Sequence, residues 1–207
     1  MERKKIMLKR EFMDKIVNEV RDCRKCRLRE HAKNPVPGEG SLNASLMLIG
    51  EAPGRSEDLK GRPFVGRAGE LLDRLLFSIN LKREDVYIAN IVKHRPPDNR
   101  QPKPDEIEAC TPYLEKQIQI IKPGIIATLG NHSTGYILSK VNVEAGGITE
   151  VRGRVYNERL FEQPVRIIPT FHPAAALYNP AYLPALEEDF RTIRRELADV
   201  LTRSEKY

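Results

Sequence analysis

The chain of 207 residues has no tryptophan, only three cysteines and no apolar run approaching the length of a membrane span. Each shortage excludes a class of protein. Three thiols cannot staple a small secreted scaffold, so their use turns on spacing, which in a reducing compartment points to a metal or cluster site. A spanning helix needs about 20 consecutive apolar residues, and the opening MERKKIMLKREF offers neither a long apolar core nor a small-residue cleavage site. A soluble, cytoplasmic chain is expected. Repeats and low-complexity tracts are missing too, which leaves out solenoids and disordered tails. Charge of one sign is scarce: 35 Lys and Arg against 29 Asp and Glu leave +6 and a pI of about 9.2. Such a balance permits a polyanionic partner without demonstrating one.

What is present suits one α/β domain spanning residues 1–207. The organising stretch is Ser45 to Gly69, SLMLIGEAPGRSEDLKGRPFVGRAG. An apolar run from Leu46 to Ile49 stops at Gly50, and Gly54, Gly61, Gly66 and Gly69 precede a helical pattern over Glu70 to Phe77. In a strand, glycine loop and helix, ligands bind beyond the strand's carboxyl end, where glycines let backbone N–H groups approach a phosphate or a planar base. Taken alone, a surface loop that merely tolerates glycine reads the same.

Helix spacing over Glu11 to Val20 delivers Cys23-Arg24-Lys25-Cys26, and His31 to Asn43 reads as an irregular crossing. Val86 to Val92 is a β-branched strand, and Lys93 to Pro102 is a rigid basic loop whose three prolines deny it helix or central strand. A helix over Asp105 to Ile121 is expected to kink or restart at Pro112, with Thr111 as cap. Strands at Ile125 to Leu129 and Val165 to Ile168, helices from Ser133 toward Lys140 and over Leu183 to Leu201, and a small hairpin over Ile148 to Tyr156 complete the pattern. Strands alternating with helices imply a mainly parallel sheet covered on both faces.

Four residues have metal-ligand chemistry: Cys23, Cys26, His94 in the proline loop, and Cys110. A Cys-x-x-Cys with two distant ligands suits zinc or an iron-sulfur cluster alike. Read singly, Cys110 is a small buried hydrophobe and His94 a solvated loop residue.

Gly50-Glu51-Ala52-Pro53-Gly54, Gly61-Arg62-Pro63-Phe64-Val65-Gly66, Asn90-Ile91-Val92-Lys93 with Arg95-Pro96-Pro97, and Phe171-His172-Pro173 resemble, in order and spacing, the family 4 uracil-DNA glycosylases, from about Cys23 to Arg195. The resemblance implies a three-layer α/β/α fold with a central four-stranded, mainly parallel sheet. It also implies a [4Fe-4S] cluster normally held by four cysteines, of which Cys23, Cys26 and Cys110 match three. His94 stands where the family has the fourth, and imidazole replaces thiolate on iron in Rieske centres. Zinc is the alternative.

An enzyme acting on a base in duplex DNA extrudes it, stacks it and reads its Watson–Crick edge. By the resemblance, Gly50, Ala52, Gly54, Phe64, Asn90 and His172 contact the base. Phe64 stacks on it, Asn90 donates to uracil O4 and accepts from N3–H, and His172 donates to O2 as charge develops. Glu51 positions water or lines the pocket near C5. Distantly related uracil glycosylases have an aspartate at Ala52 and a tyrosine at Gly54, so a strong base is missing there and a dissociative cleavage is expected. The segment Pro173 to Tyr178, with Ala175 and Leu177, resembles the loop that fills the gap left by the flipped base. Arg67, Lys93, Arg95 and Arg100 flank the crevice as phosphate contacts, although a solvated basic rim reads identically.

The expected activity is hydrolysis of the N-glycosidic bond of deoxyuridine by a monofunctional enzyme. Its expected partner is uracil-containing DNA, single- or double-stranded, with a sliding clamp as a candidate repair partner. A monomer associated with the nucleoid and with no membrane is expected. The rivals are a non-turnover binder that traps the sugar covalently through a loop histidine, and a metal-stapled nucleic-acid module without catalysis. The first needs an insert that the short proline loop lacks; the second leaves Phe64, Asn90 and His172 with no shared task.

Overall fold

The computed structural model describes residues 2–204; Met1 and residues 205–207 lie outside it. Six strands form one sheet: β1 (Glu39–Gly40), β2 (Leu46–Gly50), β3 (Tyr87–Asn90), β4 (Ile125–Leu129), β5 (Tyr156–Leu160) and β6 (Gln163–Thr170). Their spatial order is β1-β3-β2-β4-β6-β5. The inner four are parallel, and β1 and β5 close the edges antiparallel to β3 and β6. The expected four-stranded parallel core is therefore present, widened by two edge strands. Both edge strands lack the continuous apolar run that marks a buried parallel strand.

Helices cover both faces: α1 (Glu2–Arg21), α2 (Leu28–His31), α3 (Arg55–Lys60), α4 (Arg67–Ser78), α5 (Pro104–Ile121), α6 (Asn131–Ser139), α7 (Ile148–Val151), α8 (Pro173–Tyr178) and α9 (Leu183–Ser204). Side-chain alternation along β2 divides the core. Met47 and Ile49 face the layer of α1, α5 and α6, whereas Leu46 and Leu48 face α4 and α9. Each fully buried aliphatic side chain contributes about 1.5–3 kcal/mol, and both sides of the sheet carry many.

Three local expectations are corrected. The hairpin lies at β5 and β6, around Phe161 and Glu162, both at positive φ (49° and 63°). Ile148 to Val151 is helix α7 instead. Helix α5 runs through Pro112 without a restart, with Thr111 buried inside it. The carbonyl that Pro112 cannot bond belongs to exposed Glu108, where water can take it.

The chain runs from β2 to β3 on one side and then crosses to β4 on the other, so β2 is a topological switch point. Its carboxyl end opens into the crevice where open α/β sheets bind ligands. Register places Gly50 directly beside Asn90, and Thr170 ends β6 just before His172.

Candidate active site

Gly50 lacks a side chain for a visible reason: a Cβ there would stand 2.4 Å from Asn90 Oδ1 and 2.7 Å from Phe64 Cζ. The amide and the ring thus meet over the end of β2. The Phe64 ring also stacks on the His172 imidazole, with centroids 5.4 Å apart at 30°. A cavity of about 190 Å³, lined by Glu51, Ala52, Gly54, Pro96, Arg100 and His172 among others, meets this cluster through His172; Asn90 and Phe64 are buried behind it and are not among its lining residues. That volume lies below the roughly 300 Å³ at which pockets for drug-sized ligands begin, and suits a single ring.

Asn90 is 2% exposed, and its Oδ1 accepts no hydrogen bond among the described residues. A buried acceptor left unpaired costs about 1–3 kcal/mol, so a ligand N–H offered there is favoured. His172 caps α8: its Nδ1 accepts the Ala174 N–H at 3.1 Å. Burial holds this imidazole's pKa down to about 4, although Glu57 pulls the other way. The neutral ring with Nδ1 engaged as acceptor carries its proton on Nε2, the nitrogen left to donate.

Phe64 is held at φ 49°, in the left-handed region. For a bulky residue that conformation costs of order 1–3 kcal/mol and persists only when its surroundings impose it. Arg83 donates to the carbonyls of Pro63 (2.6 Å) and Phe64 (2.9 Å) while bonded to Glu39 and Asp73. Burial pushes the Glu39 carboxyl's pKa up, yet hydrogen bonds from Arg62 and Arg83 outweigh it and hold the pKa below the ordinary range. On the other side of Phe64, Glu57 accepts the N–H groups of Val65 (2.8 Å) and Gly66 (2.9 Å), and also that of Gly54 (3.1 Å). A Cβ at Gly69 would lie 1.9 Å from the Phe64 carbonyl oxygen, so only glycine fits.

Glu51 faces a residue without local sequence signal: His132 Nδ1 lies 2.7 Å from Glu51 Oε2, within ion-pair distance. Glu57, Arg83 and His132 were all missed by sequence reasoning. Of these only Glu57 carries a readable cue, its place three residues after the Gly54 N-cap of α3.

The basic rim needs correction. Lys93 is fully buried, its Nζ bonded to the Asn90 carbonyl (2.9 Å) and Gln117 Oε1 (2.8 Å), and burial lowers its pKa to about 8. It braces the floor of the site and meets no phosphate. Arg100 grips buried Glu106 with two hydrogen bonds, 2.6 and 2.8 Å, while still lining the cavity. Arg95 bonds Asn99 Oδ1 at 2.8 Å, and Arg67 is exposed at the start of α4. The segment after His172 is helix α8, because the imidazole caps it. Ala175 and Leu177 are half-buried, and the apolar side chain presented to solvent is Tyr178, 90% exposed.

Cys23 and Cys26, partly buried, pack against the same core as buried Cys110. Burial raises the Cys110 thiol's pKa to about 11, opposed by Lys93 and reinforced by charge on Cys26 and Cys23. The Lys93 N–H donates to Cys110 Sγ at 3.1 Å. His94 is 3% exposed with Nε2 unpartnered, its pKa pulled down to about 4 by burial and by Arg29. No group of three or more His, Cys, Asp or Glu is set to hold a single metal ion among the described residues.

The model of the Uracil DNA glycosylase superfamily matches residues 37–198. The chain is 53% identical over 187 residues to the type-4 uracil-DNA glycosylase of Saccharolobus solfataricus, covering 90% of this chain and 87% of that one. It is 46% identical over 183 residues to the type-4 uracil-DNA glycosylase of Archaeoglobus fulgidus, covering 88% and 92%. With that of Thermotoga maritima it shares 44% identity over 174 residues, covering 84% and 88%.

Gly50→Ala puts a methyl group against the buried Asn90 amide and Phe64 ring, so one or both must shift from the positions on which the site depends. Excision should fall by about 100-fold or more, with circular dichroism showing the parent's fold. Full activity in this variant would show that the placement of the Asn90 amide and the Phe64 ring over Gly50 does not govern excision.

Proposed function

The chain belongs to the uracil-DNA glycosylase superfamily, and we propose that it excises uracil from DNA through Asn90, Phe64 and His172, with Glu51 attending the attacking water. The unpaired Oδ1 of Asn90 carries this reading. Uracil offers a donor at N3 and an acceptor at O4, which one carboxamide meets with its oxygen and its NH₂. Cytosine reverses both polarities, and each mismatch costs about 1–3 kcal/mol.

Phe64 supplies the stacking face for the extruded base. The C1′–N1 bond breaks with its electron pair remaining on the base, whose charge spreads onto O2, where His172 Nε2–H donates. Water oxygen bonds to C1′, and its proton passes to Glu51. Because His172 is neutral, it donates without losing a proton, in the manner of an oxyanion hole. Arg67 and Arg95 meet the DNA backbone, and Tyr178 at the end of α8 is better exposed to enter the duplex than Leu177. The chain acts as one domain and as a monomer on DNA.

Cys23, Cys26, Cys110 and the unpartnered nitrogen of His94 would hold a [4Fe-4S] cluster. Three cysteines that pack against one core and a buried imidazole whose Nε2 has no partner among the described residues support this reading. The group would supply folding energy, tying α1 and α5 to the loop below Asn90. The cluster's loop and the base-reading strand are continuous through Lys93, whose ammonium bonds the Asn90 carbonyl.

Single-turnover cleavage of single-stranded and duplex uracil DNA, read by alkaline scission, tests the assignment. Asn90→Ala and His172→Ala should lose about 100-fold or more, and Glu51→Ala less; unchanged rates in the first two would refute it. Protein purified without air should contain iron and acid-labile sulfide, retained in His94→Cys and diminished in His94→Ala. Zinc without sulfide would overturn the cluster.

A further inference from the structure

We propose that His132 is a positioning residue of the excision reaction, fixing the Glu51 carboxylate so that one oxygen is held and the other is presented to the water that attacks C1′. The inference rests on the role assigned above to Glu51 and adds what that role requires.

Glu51 belongs to the loop leaving β2, and its backbone is already fixed by the Val92 N–H, bonded to the Glu51 carbonyl at 3.1 Å. Its side chain would otherwise turn freely, since a glutamate has three rotatable bonds and this one is 28% exposed. His132 removes that freedom. The 2.7 Å contact runs from Nδ1 to Oε2, and no other side chain bonds this carboxylate among the described residues.

Position makes the contact more than an incidental surface pair. His132 stands at the second residue of α6, immediately after the exit of β4, and that exit is braced on every side. Gly130, at φ 96°, passes so close to His172 that a Cβ would lie 3.2 Å from the histidine's own. Asn131 Oδ1 accepts the Ile148 N–H at 2.8 Å, and Thr134 bonds Thr128 across the same turn at 2.8 Å. A rigid segment carrying one imidazole toward the cavity-lining carboxylate is the arrangement expected where a carboxylate must hold one orientation. The four strand exits then each contribute: Glu51 from β2, Asn90 from β3, His132 from β4 and His172 from β6.

The test uses His132→Leu, which removes the donor, and His132→Asn, whose side-chain NH₂ occupies nearly the position of Nδ1. Both are compared with Glu51→Gln and with the Leu/Gln double variant. Single-turnover excision and affinity for DNA containing non-cleavable 2′-fluoro-2′-deoxyuridine are read for each, after melting curves establish the fold. His132→Leu should slow excision roughly 10- to 100-fold with affinity unchanged, His132→Asn should restore most of the rate, and the double variant should be no slower than Glu51→Gln alone. A parental rate in His132→Leu beside a slow Glu51→Gln overturns the inference and leaves the role of Glu51 standing. Slowing that adds to that of Glu51→Gln overturns it too, since His132 would then act elsewhere. Parental rates in both single variants overturn the role of Glu51 itself, and the inference with it.

Discussion

A side-chain carbonyl oxygen buried at the end of a central strand, with no partner among the described residues, is the constraint from which the site follows. Asn90 Oδ1 sits where water is excluded and where neighbouring backbone is engaged elsewhere. Native interiors rarely leave such an atom unpaired, so a ligand N–H brought to it would complete a bond the protein leaves open. The neighbours give that preference a shape. Gly50 lets the amide and the ring of Phe64 close over the strand end, that ring supplies a flat face, and His172 presents a donor whose tautomer is set by helix α8.

Such a site is unfavourable in isolation, combining a desolvated amide, an aromatic residue in the left-handed region and a buried lysine. The surroundings over-determine each. Phe64 is gripped through its carbonyls by Arg83 and through the following N–H groups by Glu57, so neither side of the loop can relax. Lys93 finds two acceptors, one of them the backbone of Asn90. The two apolar layers on either side of the sheet supply the stability that offsets these local costs. Rigidity of this kind suits electrostatic catalysis, in which donors stand in place before charge appears.

The sheet core was legible because β2, β3, β4 and β6 are apolar on both faces and end at glycine, asparagine or a proline-rich exit. Asn90, Phe64 and His172 could be grouped from the sequence only through the resemblance of their motifs, in order, to the family 4 uracil-DNA glycosylases. What escaped depends on contacts distant in sequence. Lys93 reads as one more cation of a basic loop, and nothing local shows that Gln117 on α5 will receive it. Arg83 reaches Glu39 across 44 residues, and His132 meets Glu51 from a different strand. The β5–β6 hairpin was misplaced because Phe161 and Glu162 make a turn usually written with asparagine and glycine. No pattern of apolar residues encodes these pairings.

The claim that Asn90 reads N3–H is tested most directly by single-turnover excision of N3-methyl-2′-deoxyuridine from DNA, measured beside 2′-deoxyuridine in the same sequence. The methyl group removes the donor and leaves O2, O4 and the glycosidic bond in place. The account predicts prompt release of uracil and no measurable release of the methylated base. Comparable rates for the two would show that the buried amide oxygen is not the reader, and the assignment of the site would fail with it.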